Sequence, residues 1–417
     1  MLNELRRELR FAWGEAAFRW AILLALVFSA FSVFVGVKES THQQELLSSL
    51  IDTSMEDQQW TLEGRTDVGD IAYNIIHLTY DPPSSLAFAA LGLRDELPWK
   101  HRLRMLALEG QIHETDGGNP ELSALGQLDF SYLVSVLLPL FVIGLLFDLD
   151  ARERRAGRYE LLCATSVFGS NVFLLRAVVR GLVLFCALGL PFLLVAVMSG
   201  VAIATALLVL GIALLHIIFW VVMCRLITTR RLEGVTAALT LLSFWFLFTI
   251  VVPVGAKTGI EDSIAVPNGG DILLTQRETV NDAWDLPKAA TMEPFLSAHP
   301  KWTDYAEVNR PFEWKWYYAF QEVGDQAAQP LSTALYAGMT ARDQAMAKAA
   351  MLSPALLSER ALMALAETDV SQHLQYIACA RDFHARLRHF YYPLLFGEQA
   401  FSEEAMAQLP RFQPCAE

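Results

Sequence analysis

Nine histidines, five cysteines, and 32 basic residues set against 45 acidic ones are the side chains from which this 417-residue chain could build chemistry. His373, His384 and His389 cluster near the C-terminus, but separations of 11 and 16 along a helix put at most two on one face. His384 to His389 is i, i+5, a rotation of about 140° that suits chelation poorly. A packing or surface role is expected for them, and no metal site. His216 stands alone in an apolar stretch. An ionisable group inside a membrane is a functional candidate, so His216 is the candidate for a transport path, weighed against a neutral histidine bonded between helices. Cys379 and Cys415 lie 36 residues apart and could pair if they face an oxidising compartment. Cys163, Cys186 and Cys224 read as small apolar residues. There is no C-x-x-C, G-x-S-x-G, H-E-x-x-H or G-x-x-x-x-G-K-[ST] spacing. No zinc site, hydrolase or nucleotide site is therefore expected, nor any cofactor in this chain.

The elements that must position these residues are membrane spans. Hydrophobic residues make up 54% and charged residues 18%, against about 25% charged in an ordinary soluble chain. A spanning helix needs about 20 apolar residues. Five stretches qualify: 20–37, 130–147 (which contains Pro139), 181–199, 201–224 and 235–254. The third and fourth form one charge-free run that must turn back at Ser199-Gly200. The net charge of −13 argues against a nucleic-acid partner.

Orientation follows from arginine and lysine in the short flanking segments. With the N-terminus in the cytoplasm, the inside segments 1–19, 148–180 and 225–233 hold 13 of the 32 basic residues but only eight of the 45 acidic ones. The N-terminus is thus expected inside and, after five spans, the C-terminus outside. Residues 1–14 place Leu2, Leu5, Leu9 and Trp13 opposite Arg6, Arg7 and Arg10, the pattern of an interfacial helix within a cytoplasmic segment 1–19. The outside segments 38–129 and 255–417 are too long to be plain loops. They read as one mainly helical domain built from two insertions. Its helices are expected over HQQELLSSLIDTSM, LPWKHRLRMLALEGQI and FEWKWYYAFQEV, and over 353–396 with a break at Pro393. The two insertions are expected to pack on each other, since either alone would leave apolar faces such as Leu103, Leu106 and Leu108, or Leu356, Leu357 and Leu362, without a partner. The aromatic run Phe312, Trp314, Trp316, Tyr317 and Tyr318 is a candidate for core, outer headgroups or a ligand.

Segment 148–180 with the span before it reads LLPLFVIGLLFDLDARERRAGRYELLCATSVFGSNVFLLRAVVR. It resembles the permeases of type-two ABC exporters, whose second span ends in an S-x-E-R-x-x-G-T-L-x-x-L-L pattern. Glu153, Arg154, Gly157, Leu161 and Leu162 fill that pattern, while Ala151, Arg155 and Arg158 depart from it. The branch with large periplasmic insertions adds an N-P-x-L-x-x-x-G-x-x-D element, matched by Asn119, Pro120, Leu122, Gly126 and Asp129. Near the C-terminus, Ser353-Pro354, Thr368-Asp369, His373, Leu387-Arg388, Phe390 and 410–412 match further elements. Such permeases typically have six spans, and this sequence ends at Glu417 where a sixth would begin. That leaves the sixth absent or its packing surface supplied by another subunit.

The resemblance implies a permease subunit of an ABC exporter in the bacterial inner membrane, with a periplasmic C-terminus. It implies a dimer with a like or related permease and an ABC ATPase dimer that supplies ATP and Mg. A periplasmic or outer-membrane protein is a further partner class. Arg152, Glu153, Arg154, Gly157, Arg158, Leu161 and Leu162 would couple the chain to the ATPase, with Gly157 as a bend and Arg176 less sensitive to mutation. Two alternatives keep the same spans: ATPase-driven mechanotransmission, and a periplasmic assembly or binding factor without translocation.

Overall fold

Apolar runs longer than any strand set the architecture. In the computed structural model, which describes residues 2–114, 128–397 and 402–415, they are helices. The matches at Asn119, Pro120, Leu122 and Gly126 lie outside the described residues. Helix α1 (Leu2–Gly14) is followed by α2 (Ala16–Leu62), 47 residues long and so about 70 Å at 1.5 Å per residue. The apolar stretch 20–37 is only its first part. No proline lies between Val37 and Leu62, and the span continues unbroken as a rod into a projecting domain. There follow α3 (Val68–Asn74), β1 (His77–Tyr80), β2 (Lys100–Leu103), α4 (Leu108–His113) and α5 (residues 130–146). Next come α6 (Leu149–Arg155), α7 (Tyr159–Thr165), α8 (Val172–Met198), α9 (Ile203–Thr228) and α10 (Gly234–Ser263). The chain continues through α11 (Gly269–Asp282), α12 (Lys288–Ala298), α13 (Trp314–Ala350), α14 (Pro354–Leu365), α15 (Val370–Leu395) and α16 (Glu403–Met406). Five helical segments are long and apolar enough to cross a membrane: Ala16–Leu62, Phe130–Arg155, Gly169–Met198, Ile203–Thr228 and Gly234–Ser263. The protein is an all-α polytopic membrane protein, and β1–β2 is the one sheet among the described residues.

Three spans carry a proline, at 139, 191 and 253, and in α5 and α10 the proline follows a π turn. Leu133–Leu137 precedes Pro139 in α5, and Leu247–Val251 precedes Pro253 in α10. Proline lacks an N–H and displaces the carbonyl one turn back, so nearby carbonyls need other donors inside a bilayer. Trp245 Nε1 donates to Val136 O at 3.0 Å, and Ser353 Oγ donates to Phe248 O at 2.5 Å.

Ser353 opens α14, which is where the structure departs from the sequence-based expectation. Residues 255–417 do not all lie beyond the bundle. Leu362 and Ala366 are in the same core as the spans, and Ser358 bonds His216 halfway along α9. Of the leucines of the second insertion expected to need the first as partner, Leu362 packs in the bundle instead and Leu357 is exposed. Residues 86–91 also enter the bundle. All six are buried, with Phe88 and Phe130 against Phe192 at 6.0 and 4.8 Å. Gly36 makes this possible, because a Cβ there would sit 1.8 Å from Phe88 O.

The two insertions do share a core in the projecting domain. It joins Val68, Ile71, Ala72, Ile75 and Met105 to Phe295, Trp302, Trp316, Tyr318, Phe383 and Tyr391. A second cluster joins Leu103, Leu108 and Ile112 to Tyr376, Ile377 and Ala380. Two local expectations are corrected. LPWKHRLRMLALEGQI is strand then short helix, because alternating His101 and Leu103 bury one face of β2. The run 353–396 breaks at 366–369, where Glu367 has φ +56° and Asp369 caps α15, while Pro393 stays within α15. The aromatic run begins α13, whose other end lies beside the spans about 55 Å away, too far to meet their headgroups. Cys379 and Cys415 are bonded, with Cα atoms 6.1 Å apart, fastening the C-terminal tail to α15.

Candidate functional site

Charged residues of α1, α6, α8 and α9, with Glu15 just before α2 and Arg158 just before α7, converge at one end of the bundle. Arginines at 176 and 180 are one turn apart on α8, so both face the groove occupied by α1 and α6. Arg176 Nε donates to Glu8 Oε2 at 2.7 Å, and its NH1 to Glu153 Oε1 at 3.2 Å. Arg158 Nε donates to the other Glu153 oxygen at 2.9 Å. Glu8, Glu153 and Arg176 are 3%, 1% and 4% exposed. The Arg176 guanidinium also lies over Phe11 and Phe173, at 4.6 and 5.5 Å from the ring centres.

A second knot stands beside the first. Arg152 grips both oxygens of Glu15 at 2.7 and 3.0 Å, and Arg180 donates to Glu15 at 2.7 Å and to Leu145 O at 3.0 Å. Asp150, 1% exposed, accepts from Arg225 at 2.8 Å. Every span except α10 reaches this end through one of these ion pairs. Charges taken out of water hold only when paired and well bonded, so the lattice locks α6 into the bundle.

Helix α7 is treated differently. Gly157, at φ +66°, turns the chain between α6 and α7, a conformation that favours glycine. No residue of α7 is buried; Leu161 is 63% exposed and Val167, just past the helix, 83%. Arg154 lies over Tyr159 at 4.6 Å, and Tyr159 stacks on Phe173 at 4.9 Å. The arrangement is a helical hairpin with one arm fixed in the bundle and the other uncovered. Of the seven residues expected to act together, Glu153 and Arg152 face inward, Arg158 bridges, and Leu161 lies on the open arm; Leu162 is half-buried. Gly157 is the bend. Arg176, expected to be less sensitive, is the centre of the lattice. Sequence spacing could not show this, because its partners Glu8 and Glu153 are 168 and 23 residues away.

His216 lies in the seam between α9 and α14. Trp220 Nε1 can only donate, so His216 Nε2 accepts at 3.2 Å, and Nδ1 carries the proton toward Ser358 Oγ at 2.9 Å. Both nitrogens are engaged in packing. In the projecting domain, burial holds His77, His101 and His373 down at about 4, and lowers His384, which bonds Arg104 O at 3.1 Å. Burial opposes the charge of Glu322, but His299, Arg388 and Tyr392 outweigh it and hold the carboxyl at about 2. No group of three or more histidine, cysteine or carboxylate side chains among the described residues could hold a metal ion.

Residues 272–414 match the model of a domain of unknown function, DUF3526. The match runs from within α11 to the tail beside Cys415, and it includes α14. No curated protein matches the chain. No solved structure matches it either.

Proposed function

We propose that the chain is the permease subunit of an ATP-driven ABC exporter of the bacterial inner membrane, coupled to a separate ATPase through α6 and α7. The observation that carries this reading is the hairpin at the arginine-rich end. Its open arm offers Leu161 and Val167 to a partner, and its fixed arm passes any displacement through Glu153 and Arg176 to α1 and α8. The arginines favour the cytoplasm for this end, and the Cys379–Cys415 bond favours an oxidising periplasm for the other. The partners are an ABC ATPase dimer, which brings ATP and Mg, and a second like or related permease.

A second reading draws on α2 and α13. Each is a rod between the bundle and the projecting domain, the first about 70 Å long and unbroken. Rods of that kind suit mechanotransmission, in which ATP-driven motion works on a periplasmic or outer-membrane protein. Co-purification in mild detergent tests the shared part. A nucleotide-dependent ATPase should accompany the native chain and be lost from Leu161→Arg. Retention of the ATPase by Leu161→Arg, or its absence from the native preparation, would overturn the coupling assignment. Reconstituted vesicles then separate translocation from motion of the projecting domain alone.

A further inference from the structure

Cations recur at every second residue along one strand of the projecting domain and just past its end. Alternate side chains of a strand share a face, about 7 Å apart. His101 and Leu103 take the buried face of β2, so Lys100 and Arg102 fall together on the other, and Arg104 follows just past the end of the strand. All three line an open cavity of about 600 Å³ with Trp99 and Leu106. The guanidinium groups of Arg102 and Arg104 make no hydrogen bond or ion pair among the described residues. The segments forming this domain hold most of the chain's excess of acids, so a basic strand here runs against the composition around it.

The backbone adds an independent observation. Asp81 N–H donates to Trp99 O at 2.8 Å, and Leu78 stands opposite Arg102 in the antiparallel register. Odd-numbered residues of β2 therefore bond to β1, and alternation turns the N–H and C=O of Arg102 to the far edge. The outer edge of β1 is covered, with Gln58 of α2 donating to Ile76 O at 3.1 Å. At Arg104 the edge of β2 is closed by Gln111, which accepts from the N–H at 2.7 Å and donates to the C=O at 3.2 Å. Among the described residues, Arg102 is left with an open edge beside the cavity.

We propose that this edge receives a short extended peptide segment with acidic side chains at alternate positions, which adds to β2 as a third strand. Its backbone would bond Arg102, and its carboxylates would face Arg102 and Arg104 with the period that β2 itself has. A lone small anion would use the guanidinium groups but not the edge. A long polyanion is disfavoured by Glu96 and Glu114, which also line the cavity.

The test uses the full chain in nanodiscs of zwitterionic lipid. The probe is a labelled nine-residue peptide alternating Glu and Thr, read by fluorescence anisotropy. It should bind saturably, and Arg102→Glu and Arg104→Glu should each weaken it at least about tenfold. The same residues with the glutamates in one block, or with the edge-facing amides N-methylated, should bind about tenfold less. Unchanged melting temperatures would show that both variants fold. No saturable binding, or binding indifferent to both charge reversals, overturns the proposal. Equal binding of the N-methylated peptide overturns strand addition. If the charge reversals impair association with vesicles of anionic lipid and leave peptide binding unchanged, the strand serves headgroups and the proposal falls.

Discussion

Removing Arg176 should release α1 from the bundle. In Arg176→Ala, the buried carboxylates of Glu8 and Glu153 lose the guanidinium that separates them. Breaking a buried pair from one side costs about 3–5 kcal/mol, because the other charge stays behind without its partner. Here Glu153 keeps Arg158 and Glu8 keeps Arg7 at 3.2 Å, which points to the lower end, about 3 kcal/mol. The second knot, Glu15 with Arg152 and Arg180, remains and holds the start of α2. The loss should therefore appear as local opening. A cost of about 3 kcal/mol raises the open fraction of α1 about 100-fold. Hydrogen exchange over residues 4–14 in nanodiscs reads this directly, and tryptic cleavage after Arg6, Arg7 and Arg10 should accelerate in parallel. Arg158→Ala is the control. Its side chain is 57% exposed, so its removal should cost about 0–1 kcal/mol. Glu8→Gln added to Arg176→Ala should restore part of the protection, since a neutral amide replaces one stranded charge. A change below about threefold in Arg176→Ala, or an equal change in Arg158→Ala, would refute the claim that buried charge pairing holds α1 in place.

Three further outcomes are expected. His77, His101 and His373 are held at about 4 in the folded domain against 6.5 when free. The unfolded chain thus binds more protons, and stability falls with pH between about 6.5 and 4, by about 2 kcal/mol per histidine between pH 7 and 5; denaturant melts at both pH values check it, and a flat profile contradicts it. Reducing the Cys379–Cys415 bond opens a loop of 36 residues and should destabilise the projecting domain by about 3–4 kcal/mol, seen as a lower melting temperature with reductant that Cys379→Ser reproduces and makes insensitive to it. Ser353→Ala removes both the cap of α14 and the donor to Phe248 O, at a cost of about 1–3 kcal/mol; an unshifted thermal transition would mean the carbonyl is satisfied another way.

Some of this protein is legible in its sequence because the cause is local. Apolar runs at 20–37, 130–147 and 235–254 must be helices if they are in lipid, since no other open structure satisfies its own backbone there. The turn at Ser199-Gly200 and the bend at Gly157 follow from residue type, since glycine takes positive φ readily, and both glycines have it, at +70° and +66°. The strand Lys100–Leu103 was hidden, because a run of leucines and basic residues suits either period until His101 and Leu103 find Tyr376 and its neighbours. What only the tertiary structure decided depends on residues far apart in the chain. The return of α14 into the bundle rests on Ser353 meeting Phe248 and Ser358 meeting His216, 105 and 142 residues away. The rank of Arg176 above Arg158 rests on Glu8, 168 residues earlier in the chain and ahead of the first span. An arginine's importance lies in how dry its partner is, and a sequence lists charges without saying which of them leave water.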